Sequence, residues 1–152
     1  MSDGLITLLA VGGFILIFPL FWMAILWIIA TVGGWKKLAG SYAADAPASG
    51  VSFNMASARL GLFTSYSHSL RVTVSSTGIH LQPFILMRTG HAPLFIPWDA
   101  VSRLKLRRFS LFSSAHISIM DMNDRSLINL ILYGKALGDA LAQHAPPRLG
   151  SD

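Results

Sequence analysis

Arg103, Lys105 and Arg107 stand two residues apart, with Arg108 directly after them. In an extended strand that spacing puts the first three side chains on one face, with Arg108 next to them. Three or four such cations, Arg103, Lys105, Arg107 and Arg108, could hold lipid phosphates, at about 1 kcal/mol per cation near an anionic surface. The same pattern suits a charged sheet edge that resists strand-to-strand aggregation, and the sequence leaves both readings open. Nucleic acid fits less well, because no RNA-binding or helix-turn-helix motif accompanies the charge.

A second polar cluster is the loop Arg88-Thr89-Gly90-His91-Ala92-Pro93, where Arg88 and His91 could engage a partner or an anion. Read more plainly, Gly90 and Pro93 simply turn the chain. Trp98 follows Pro97 and is expected to pack over the core at a strand end, with ligand stacking as the alternative. Chemistry beyond binding finds little support. The chain has no Cys, which excludes disulfides and thiolate metal sites, and its seven acidic residues are all Asp. The five histidines make no metal-ligand spacing with one another or with a carboxylate, so neither a metal nor a cofactor is expected. No nucleophile elbow, phosphate loop or dinucleotide fingerprint occurs. An enzyme would have to be built on His91 or His116, with no substrate implied. Asp99 is expected to cap the turn before Val101, and Asp121 with Asp124 to build a hairpin loop.

These residues need a scaffold, and the scaffold begins with a run of 32 residues, Gly4 to Trp35, that holds no Asp, Glu, Lys, Arg or His. About 20 apolar residues cross a bilayer as a helix, so the run predicts one retained membrane span. No basic segment precedes it, as a cleaved signal peptide would require. Lys36 and Lys37 follow at once, which by the positive-inside rule places the N-terminus outside and the rest of the chain in the cytoplasm. Pro19 predicts a kink or a boundary within the span. Trp35, beside the lysines, suits the headgroup level. Gly12-Gly13 and the Ala30, Gly34 pair could permit close helix approach, a route to docking on a larger membrane complex as an accessory subunit. The net charge is +5, and ten Lys and Arg against six Asp fall from Tyr42 onward. That sign favours anionic neighbours.

The rest reads as one β-rich domain. Residues 38–49 are rich in Ala, Gly, Ser and Pro and predict a linker. Beyond Gly50 the apolar period becomes two, giving strands around Val51, Phe53 and Met55; Leu70, Val72 and Val74; Ile79, Leu81 and Pro83; Leu94 to Ile96; Val101, Leu104 and Leu106; Ile117 and Ile119; and Leu127 to Leu132. A helix over 135–144 ends at Pro146-Pro147. The predicted division is anchor 1–37, linker 38–49, β domain 50–146 and tail 147–152.

With Thr77-Gly78-Ile79-His80-Leu81 entering the third strand and Ile96-Pro97-Trp98-Asp99-Ala100-Val101 entering the fifth, the chain resembles the pleckstrin-homology-like (PH-like) domains of the bacterial or GRAM-related type. The stretch Arg88 to Trp98 is similar to one in small single-span bacterial membrane proteins. The resemblance implies a mainly β fold: a PH-like seven-stranded barrel or bent sandwich with one C-terminal helix, here preceded by a single transmembrane α-helix. It implies a non-catalytic module in the bacterial inner membrane that binds a protein partner or the anionic lipid surface. Gly61 to Ser69 holds only His68, flanked by Arg59 and Arg71, unlike the basic first loop of phosphoinositide-binding members, and the closing helix lacks the tryptophan many members carry there.

Overall fold

A computed structural model describes residues 2–45 and 49–149. Helix α1 (Asp3–Val32) runs unbroken through Pro19. Its apolar side chains stay exposed on every side over most of its length, and only Leu26 and Ala30 are buried. It is long and apolar enough to cross a membrane. Gly34, at φ 83°, turns the chain in the left-handed region that favours glycine. Helix α2 (Trp35–Tyr42) then begins at a new angle.

Composition predicts a linker over 38–49, but residues 38–42 complete α2. Trp35, Leu38 and Tyr42 fall at i, i+3 and i+7 on one helix face, and burying that face outweighs the weak helix propensity of Gly40 and Ser41. Trp35 is therefore buried in the domain core, with its ring packed on Tyr66 and His91 and not facing outward. Residues 46–48 of the expected linker lie outside the described residues.

Seven strands follow: β1 (Val51–Leu60), β2 (Thr64–Val74), β3 (Gly78–Pro83), β4 (Leu94–Pro97), β5 (Val101–Arg108), β6 (Ser113–Met120) and β7 (Leu127–Tyr133). All pair antiparallel in the order β4-β3-β2-β1-β7-β6-β5. Two meanders are thus joined where β1 meets β7. Helix α3 (Lys135–His144) contacts β2, β5, β6 and β7, which one helix can do only because the sheet curls around it. The result is a half-barrel: among the described residues no ladder joins β4 to β5. With helices of 30, 8 and 10 residues beside the sheet, the fold is mixed and not mainly β.

The strands lie where alternation put them, apart from a change of phase in β1. Met55, expected inward, is exposed at φ 54°, and Ala56, Ala58 and Leu60 are the buried residues beyond it. The β1–β2 register slips here, and a bulge exchanges the faces of all later residues. At the other terminus the expected tail is partly structural. Residues 147–149 form a turn, Leu149 is buried, and Arg148 donates hydrogen bonds to the carbonyls of Trp98 and Val101.

Candidate functional site

One end of the half-barrel is joined to α2, directly after α1, by an aromatic cluster. The Trp35 ring centre lies 5.3 Å from both Tyr66 and His91, and Tyr66 lies 5.5 Å from His91. Every polar atom there is used. The Trp35 indole N–H donates to the Ala92 carbonyl at 2.9 Å. His91 Nδ1 is 3.1 Å from the Thr89 carbonyl oxygen, which can only accept, so Nδ1 carries the proton. Nε2 then accepts from the Tyr66 hydroxyl at 3.0 Å. Burial pushes the His91 pKa down and that of Tyr66 up, favouring the neutral forms this pattern needs. A side chain expected to face a partner is thus a fixed element of the joint.

Helix α2 closes the same end. Lys37 Nζ is 2.6 Å from an Asp124 oxygen and 3.7 Å from the buried Asp121 carboxylate. Asp121 also accepts from the Ser41 hydroxyl at 2.8 Å and the Asn123 N–H at 3.1 Å. The hydrogen bond with Lys37 holds Asp124 well below the usual carboxylate range and raises the lysine. The β6–β7 hairpin loop expected from Asp121 and Asp124 therefore also docks α2.

The candidate binding surface lies on the outer face of β5, β6, β7 and β1. Cross-strand register aligns Lys105 with His116, His116 with Ile131 and Ile131 with Arg59 in one row. The rows on either side carry Arg103 and Arg107. Together they line an open depression of about 380 Å³, whose floor includes Ser118 and Asn129 and whose rim includes no carboxylate. His116 is held below its ordinary pKa by burial, then by the charges of Arg107 and Lys105. Arg59 belongs to this surface although nothing near it in the sequence signals the association; only the β1–β7 pairing brings it there. On the opposite face of β5, Leu104 and Leu106 meet Ala142, Ala145 and Pro146 at a small groove lined by apolar side chains along the sheet edge.

Arg108 departs from the expected group. Strand alternation turns it to the opposite face, where its guanidinium is 3.1 Å from Asp139 on α3. Arg88 is exposed beside the joint. Trp98 is buried and its indole N–H donates to the Ser75 carbonyl at 3.0 Å, so it packs over the core. Asp99 points outward, with its carboxylate 3.9 Å from Arg148, and does not turn back on the chain as a cap. Among the described residues no group of His and Asp is placed to hold a metal. Comparison with known proteins adds no relative: no protein-family model and no curated sequence matches this chain.

Proposed function

We propose that the chain is a non-catalytic, PH-like binding module of the bacterial inner membrane, anchored by α1 with its N-terminus outside and its domain cytoplasmic. Its ligand is an acidic, extended protein segment added along the β5 edge. The observation that carries this reading is the row of Arg103, Lys105 and Arg107 on one face of the edge strand β5, lining a depression with no carboxylate. A segment that alternates acidic and apolar side chains would set the first against this face and the second against Leu104, Leu106 and Pro146. Anionic lipid headgroups would satisfy the cations but have no use for the apolar groove. The strand order and closing α3 support the PH-like reading. The lysines after the span support the orientation.

The test is chemical cross-linking of the full-length protein in its native membrane, beside the triple variant Arg103→Glu, Lys105→Glu, Arg107→Glu. These side chains are exposed, so the variant keeps its fold. A defined protein set recovered with the parent and lost with the variant is the expected result. An unchanged set would reject the basic face as the site. Loss of binding to anionic liposomes alone would move the assignment to lipid. Recovery by the span alone would favour an accessory subunit docking through Gly12 and Gly13, where α1 is open on the glycine side.

A further inference from the structure

We propose that two loop tips of the domain, Leu62-Phe63 and Ile85-Leu86, sit in the bilayer beside α1, so that the base of the domain is embedded in the membrane interface. The proposal rests on α1 crossing the membrane. The loops that carry both tips touch the end of α1 through a glycine each. A Cβ placed on Gly61, at the β1–β2 turn, would lie 3.7 Å from the Gly33 carbonyl oxygen. One placed on Gly90, at the end of the β3–β4 loop, would lie 3.3 Å from Ala30 Cβ and 3.4 Å from Trp27 Cα. The domain therefore meets the helix before the helix has ended.

At that level the surface is apolar on both partners. Leu62 is 72% exposed, Phe63 88%, Ile85 78% and Leu86 76%, while Ile28 and Val32 of α1 are 54% and 72% exposed. Whatever medium covers Ile28 and Val32 also reaches the tips. Length argues that this medium is lipid. A helix of 30 residues reaches about 45 Å against about 30 Å of hydrocarbon, so a helix centred on that core has its apolar last turns in the interfacial layer. The polar groups around the tips suit headgroups. Arg59 donates to the Leu62 carbonyl, Arg88 follows the Ile85–Met87 turn, and the Lys36 ammonium sits 3.6 Å above the Trp27 ring. An apolar tip with an arginine at its root is how a loop seats in a bilayer surface.

Because the chain has no Cys, single-site labelling needs no background substitutions. Full-length protein in liposomes would carry an environment-sensitive dye at Phe63→Cys or Leu86→Cys, with Ile15→Cys in mid-span and Leu111→Cys at the far β5–β6 tip as references. Dyes at 63 and 86 are expected to be quenched by spin labels on the upper acyl chain and shielded from aqueous iodide. The dye at 15 should answer to deep spin labels, and that at 111 to iodide alone. If 63 and 86 follow 111 while 15 is lipid-quenched, the span stands and the embedded base is overturned, leaving the tips as a protein-docking surface. If 15 is not lipid-quenched, the span reading fails and this proposal with it.

Discussion

His91 shows how one proton fixes a joint. Its neutral ring donates from Nδ1 and accepts at Nε2, and a second proton would place a charge in a fully buried cluster facing Tyr66 and Trp35, with Lys36 adding repulsion. The folded pKa is therefore below the ordinary value of about 6.5. The unfolded chain then binds more protons at mildly acidic pH, so stability is full above about pH 6.5 and falls as the pH drops toward the folded pKa. The slope contributed by one such group is at most about 1.4 kcal/mol per pH unit. His91→Gln, which can still hydrogen-bond but does not titrate, should lower the melting temperature at neutral pH yet reduce its fall on acidification. Melting curves of the detergent-solubilised protein between about pH 7.5 and about pH 5 would check this, limits that bracket the ordinary value of about 6.5. His80 and His116 are also held below their ordinary values and leave a residual slope of the same sign. A slope unchanged by the substitution would remove His91 from the pH dependence. The sequence marks His91 as a polar residue in a glycine loop. It cannot show the burial, because Trp35 and Tyr66 arrive from elements far away along the chain.

Between residue and molecule stands the join of α1, α2 and the sheet. Gly33 is pressed against the domain: a Cβ there would lie 2.2 Å from Thr64 Oγ1 and 2.8 Å from the Ile29 carbonyl oxygen. Gly33→Val must push the helix end away, at about 1–3 kcal/mol for overpacking. Tryptic cleavage at Lys36 and Lys37, at the join, should accelerate while the β domain keeps its own protection. Gly12→Val, where a Cβ meets nothing, should leave that rate unchanged. Equal effects from the two would mean that the span and domain are not packed together. The strands and α3 were legible because each carries its period locally, as Leu70, Val72 and Val74 do on β2. Helix α2 was hidden by its small polar residues, although Trp35, Leu38 and Tyr42 do carry helical spacing. The bulge at Met55 had no signal in alternation, since a one-residue slip is set by what β1 pairs with. The same holds for Arg59, whose place in the Lys105 row depends on pairing β1 with β7.

For the whole molecule, the placement of charge connects architecture to orientation. The N-terminal end of α1 offers only Asp3, whereas its other end is followed by Lys36 and Lys37 and then by a domain with a surplus of cations. Lys37 is also committed to Asp124 and Asp121, and Lys36 to Trp27, so the two lysines that follow α1 are also the ones that lock the domain to it. The domain would then face the cytoplasm in a fixed pose. Two single-cysteine variants can test this: Ser110→Cys at the exposed β5–β6 tip and Ser2→Cys before α1. A membrane-impermeant maleimide should label Ser110→Cys only in inverted vesicles and Ser2→Cys only in intact spheroplasts. The reverse pattern would put the basic face outside the cell and exclude cytoplasmic partners. Labelling of both from one side would mean that α1 does not cross, and the exposed apolar length of the helix would then have to be covered by protein.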